Sequence, residues 1–139
     1  MIRLNKPIDV INVIKNSMQE VIDENNLREF NGLTMEDLFR VYSANFCSIM
    51  LTFFPDANVV ISNNYLECAV LIDDVVYNSY GEVSNVGYHV CNEEELNYIT
   101  KGLNHLSLVT FEKLKEKVND AYLPVSKTYR LIKQTSHKT

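Results

Sequence analysis

At 139 residues, with 46% apolar and 22% charged positions, the chain has the composition of one folded domain that can bury a core without staples. Its formal net charge is −5, and the last thirteen residues contribute +4 through Lys127, Arg130, Lys133 and Lys138, which leaves residues 1–126 at −9. An acidic body excludes nucleic acid as the expected ligand and suits a protein partner with a basic surface.

No apolar run reaches the ~18 residues of a membrane span, and MIRLNKPIDV lacks a signal-like apolar core, so a cytoplasmic protein without membrane contact is expected. The cysteines Cys47, Cys68 and Cys91 are odd in number and widely spaced, which implies reduced, buried thiols rather than a disulfide framework.

In chain order, Asn5-Lys6-Pro7 starts a helix, with proline in the first turn and Ile11, Ile14, Met18, Val21 and Ile22 on one face. The pattern fades at Glu24-Asn25-Asn26, and Asn31-Gly32 marks a turn. Thr34 caps a second helix with Glu36 and Asp37 in its first turn. Met35, Leu38, Phe39, Tyr42, Phe46, Ile49, Met50 and Phe53 predict that it runs unbroken to the Pro55 stop. Asn58 to Ile61 reads as a short strand. Leu66–Ile72 and Val75–Tyr80 read as a hairpin turning at Asp73-Asp74, with Gly81 closing the unit and Gly87–Cys91 adding a strand. Asn92-Glu-Glu-Glu95 has the spacing of a capping box before Leu96 and Ile99. Ser107 caps a further helix with Val109, Phe111, Leu114 and Val118 inward. Tyr129–Ile132 suggests an edge strand, and about 133–139 a frayed basic tail. The expected architecture is α+β: one domain over 1–139, with two N-terminal helices, a central antiparallel sheet containing the 66–80 hairpin, and two C-terminal helices.

Chemistry-bearing patterns are sparse. Cys47, Cys68, His89 and Cys91 are zinc-type ligands, yet only His89 and Cys91 are close in sequence, so no metal or cofactor is expected. The four glycines form no phosphate-binding loop. Asp73-Asp74 and Glu93-Glu94-Glu95 are explained by a turn and a helix start. Tyr65, Tyr77, Tyr80 and Tyr88 concentrate phenols in the middle third, a composition that suits a binding surface and equally suits half-buried strands. Cys47 would be reactive only beside a base such as His89.

One stretch has a family likeness. Phe46, Phe54-Pro55, Ile72-Asp73 and Tyr77 through Gly81 resemble, over about residues 41–82, the order and gaps of small papain-like (NlpC-type) domains. The resemblance implies a nucleophile at a helix head, a histidine opening a strand and an acid on the next. Those positions hold Ser43, Glu67 and Asn78 here. A serine needs a base, and Glu67 could serve as one only if burial raised its pKa. Moreover, a helix running on from the Thr34 cap would put Ser43 well inside it, away from the helix dipole. The resemblance therefore implies a degenerate site.

The expected function is a non-enzymatic, acidic protein-binding domain, of the kind that phages or mobile elements encode as inhibitors or immunity factors. A small cysteine or serine hydrolase or acyltransferase with a Cys47–His89 or Ser43–Glu67 site is the alternative. A small-molecule sensor or sponge is a third.

Overall fold

The computed structural model describes residues 6–30 and 32–121. The Tyr129–Ile132 strand and the 133–139 tail fall outside them. Among the described residues the architecture is α+β. It comprises α1 (Pro7–Asn25), a 3-10 turn (Arg28–Phe30), α2 (Met35–Val41), α3 (Ser43–Phe53), five strands, α4 (Glu93–Lys101) and α5 (residues 108–121). The strands are β1 (Asn58–Ser62), β2 (Cys68–Ile72), β3 (Val75–Asn78), β4 (Gly81–Val83) and β5 (Tyr88–Val90). They form one antiparallel sheet in the order β4-β3-β2-β1-β5.

α1 starts at Pro7, as expected, and buries Val10, Ile11, Ile14, Ser17, Met18, Val21 and Ile22. It ends at Asn26 in the left-handed region (φ 53°), a conformation asparagine tolerates. The single helix expected over 34–53 is two helices, so three helices rather than two precede the sheet. Tyr42 breaks it, at φ −106°, ψ 43°, serving as C-cap of α2 and N-cap of α3. Val41-Tyr42-Ser43 is locally poor in helix formers, and the Tyr42 ring packs edge-on against Phe30 at 5.8 Å. The aromatic spacing passes through the break unchanged, because Leu38, Phe39, Phe46 and Met50 all reach the same core.

The hairpin turns at Asp73-Asp74 with both residues at positive φ (49° and 66°). Its strands are shorter than expected, Cys68–Ile72 and Val75–Asn78. Gly81 does not close the unit but opens β4, pairing with Asn78. Both hydrogen bonds of the Asn92–Glu95 capping box are made. Leu96 and Val109, expected inward, are exposed, whereas Ile99, Leu114 and Val118 are buried.

The sheet must be rolled. Four strand spacings of ~4.8 Å would hold the edges of a flat five-stranded sheet ~19 Å apart. Val83 is level through Val76 and Leu71 with Asn58, whereas Tyr88 pairs with Ser62, ~13 Å further along β1. A flat path between them would thus span ~23 Å, but five Cα steps reach at most ~18 Å. Residues 84–87 are not even extended, since the Tyr88 N–H donates to the Asn85 carbonyl at 3.2 Å. Curling brings the edges together, and the concave face buries Val60, Ala69 and Val76 against Leu71, Val83 and Tyr88. The convex face presents Val59, Ile61, Cys68, Val70, Ile72 and Tyr77 to the helices.

Candidate functional site

The break at Tyr42 decides where the candidate residues lie. Ser43 is the first residue of α3, not an interior one, which corrects the position expected from an unbroken helix. It faces the start of β2, where the Cys68 N–H donates to Ser43 Oγ at 3.0 Å and the Cys68 thiol approaches the same oxygen at 3.6 Å. Ser43 is 3% exposed, so its hydroxyl is sealed among main chain and thiols. Cys47, one helical turn on, is buried beside Cys68. Its contact with the Cys68 thiol and its burial push its pKa well up, the reverse of an activated nucleophile. Burial, then the Glu95 charge, likewise raises the Cys91 thiol to about 11. Among the described residues no three His, Cys, Asp or Glu side chains are grouped to hold a metal ion.

Glu67 stands one residue before β2, next to the Cys68 that meets Ser43, but its side chain is committed elsewhere. Arg40, in the last turn of α2, donates from Nη2 to Glu67 Oε1 at 3.0 Å and from Nε to Oε2 at 3.3 Å. This two-pronged grip on both oxygens occupies the carboxylate that would have to accept a proton. The Tyr80 ring lies 5.9 Å from the Arg40 guanidinium carbon, and the Tyr80 hydroxyl donates to Asp37. That bond, with the Thr34 hydroxyl, holds the Asp37 carboxyl below its ordinary range. Asn78 is buried and accepts the Tyr80 N–H at 2.8 Å, a local turn that accounts for the amide. The Tyr88 phenol, in the concave face, interacts with both Asn78 and Glu67; burial first, then the Glu67 charge, raises its pKa. Among the described residues no side-chain hydrogen bond joins Ser43 to Glu67 or to Asn78.

His89 does not meet Cys47. Its Nε2 lies 2.6 Å from Glu95 Oε2 and its Nδ1 2.6 Å from Asn63 Oδ1. Tyr65 donates to the same Glu95 oxygen at 2.7 Å, and the Asn92 N–H to the other at 3.0 Å. His89, then Tyr65, then the Asn92 N–H lower the Glu95 pKa to about 2. Tyr98 completes the cluster by donating to the Tyr65 carbonyl at 3.0 Å. Of the four candidate tyrosines, Tyr65 and Tyr80 are exposed, whereas Tyr77 and Tyr88 are half-buried against the two faces of the sheet.

The Arg40–Glu67 pair and Asp37 line a groove of about 460 Å³, walled by Leu33, Val41 and Leu66. Leu66 is 71% exposed, Val41 44% and Leu33 42%. Arg40 and Leu33 gave no signal in the sequence, and Asp37 signalled only the first turn of a helix. A larger depression of about 650 Å³ lies where Phe54-Pro55 meets the Asp73-Asp74 turn and holds none of the candidate residues.

These features define an α+β domain with a rolled antiparallel sheet, a sealed Ser43–Cys47–Cys68 cluster and an open apolar groove beside a fixed ion pair. Comparison with family models, curated proteins and solved structures found no match. No described helix is long and apolar enough to cross a membrane.

Proposed function

We propose that this chain is a non-enzymatic protein-binding domain, an inhibitor or immunity-type factor of the kind carried by phages or mobile elements, and that it engages its partner through the groove between α2 and Leu66. The observation that supports this reading is the contrast in exposure. The groove offers three aliphatic side chains to solvent around an Arg–Glu pair already held in place. The hydroxyl and thiol that catalysis would need are buried and occupied. Exposed aliphatics next to fixed charges suit a contact surface, in which a few buried anchors carry most of the affinity.

The test has two arms. In the first, the purified chain is assayed for ester, amide and thioester hydrolysis alongside Ser43→Ala, Cys47→Ala and Glu67→Gln. In the second, it is used as bait in an extract of its native host, with Leu66→Asp as control. The reading expects no turnover attributable to those three residues and a partner retained by the parent chain but lost with Leu66→Asp. Turnover abolished by Ser43→Ala would replace it with a papain-like hydrolase or acyltransferase built on Ser43 and Glu67. The placement of Ser43 at the head of α3, facing the start of β2, favours that second reading.

A further inference from the structure

We infer that the groove takes a basic protein segment that places an aliphatic side chain against Leu66, Val41 and Leu33 and one or more lysines or arginines along its acidic margins. This rests on the binding reading above and names the chemistry of the partner.

The charges along the rim select for a basic segment. Among the described residues Arg40 is the one cation lining the groove, and both oxygens of Glu67 already neutralise it. Asp37, in the same lining, is bonded only to hydroxyl groups and keeps its negative charge. Beyond Leu66 the chain passes to Tyr65, which sits in the field of Glu94 and Glu95 at the head of α4. Glu93 and Glu94 are exposed there, and residues 1–126 carry −9 in total. An approaching segment therefore meets the Asp37 carboxylate in the cleft lining and, past Leu66, the acids of α4 that Tyr65 reaches through its bond to Glu95 at 2.7 Å. An acidic or phosphate-bearing ligand would be repelled, and a basic one steered in. The paired Arg40 needs no counter-charge from the partner, so the central contact is free to be aliphatic.

The pairing also fixes which contributions dominate. Leu66, the most exposed wall of the cleft, has the most surface to lose to a partner and acts as the anchor. Rim carboxylates act at longer range, chiefly on the association rate, and salt screens them.

The experiment is selection of a displayed library of random dodecamer peptides on the full chain at low ionic strength. Enriched peptides are then titrated by fluorescence anisotropy against the parent, Leu66→Ser and a Glu93→Gln/Glu94→Gln double variant, each checked by thermal melt. All three sites are exposed, so folding should survive. The expected result is enrichment of Lys or Arg beside Leu, Ile, Val or Met. Affinity should fall about tenfold with Leu66→Ser and about threefold with the double variant, the latter difference vanishing at ~0.5 M salt. Groove-dependent peptides that are neutral or acidic overturn the partner chemistry and leave the binding reading standing. Peptides insensitive to Leu66→Ser, or no enrichment at all, overturn both. A single-stranded oligonucleotide probe that binds the parent chain and not Leu66→Ser assigns the groove to nucleic acid and overturns the inference.

Discussion

Replacing Ser43 with alanine separates a structural serine from a catalytic one. The Glu67 main chain faces β1, since the Ser62 N–H donates to the Glu67 carbonyl at 2.9 Å and the Glu67 N–H to Ser62 Oγ at 3.1 Å. The Cys68 N–H therefore points the other way, toward β3. The β2–β3 register ends at Val70–Tyr77 and β3 itself ends at Asn78, so no ladder acceptor stands opposite Cys68. Ser43 Oγ fills the gap. Without it a fully buried N–H is left unbonded, which costs about 1–3 kcal/mol. Taking about 2 kcal/mol, the folding equilibrium weakens roughly thirtyfold. The urea midpoint should drop by about 1 M at a slope of about 2 kcal/mol/M, and Tm by roughly 4–8 °C. Circular dichroism during urea and thermal unfolding reads both, with the urea slope unchanged. A change within about 0.5 kcal/mol of the parent would show that Cys68 does not depend on this hydroxyl and refute the reasoning.

Three further outcomes are expected. In the native protein at neutral pH, mass spectrometry after alkylation should find Cys47 and Cys68 unmodified and Cys91 modified slowly, at a rate that climbs as pH approaches 11; prompt labelling of Cys47 would revive a thiol enzyme. Glu95 is held at about 2 in the fold against an ordinary 4.5, so its stabilising effect is complete above pH 4.5 and fades as pH falls toward 2. Melting points from pH 5 to 2 should consequently fall more steeply for the parent than for Glu95→Gln, and parallel curves would contradict the depressed pKa. Asp74→Gly should stabilise by about 0.5–1 kcal/mol in urea, because glycine relieves the left-handed backbone at φ 66°; a loss of stability would mean that the Asp74 side chain contributes more than its strain removes.

Most elements were legible because their signals are local. Pro7 in the first helical turn, Thr34 as a cap, Pro55 as a stop and the Asn92–Glu95 capping box are set by neighbouring residues, and all four hold. The break at Tyr42 was not legible, since both helices bury their aromatic residues in one core and the spacing of Phe39, Tyr42 and Phe46 shows no interruption. That break repositions Ser43 and thereby the candidate site. The exposure of Leu96 and Val109 was equally hidden, because an apolar residue carries no mark of whether a neighbour covers it. The grip of Arg40 on Glu67 joins residues 27 positions apart, and the groove beside it follows from that tertiary contact. The hairpin was readable from its two β-branched runs, but the rolled sheet around it depends on the pairing of β5 with β1, which no local pattern announces.

The four residues that join β4 to β5 also impose an order of events on folding. β1 to β4 form a meander in which each strand meets its predecessor across a short loop. The β1–β5 seam joins Val60 to Val90 and closes a far longer stretch of chain, so its loop-closure entropy is greater. It can form only once the meander has curled enough for the short connection to reach. The seam should be the last part of the sheet to zip and the first to unzip. Amide hydrogen exchange at Cys91, whose N–H donates to the Val59 carbonyl at 3.0 Å, should accordingly run ahead of exchange within the β2–β3 hairpin.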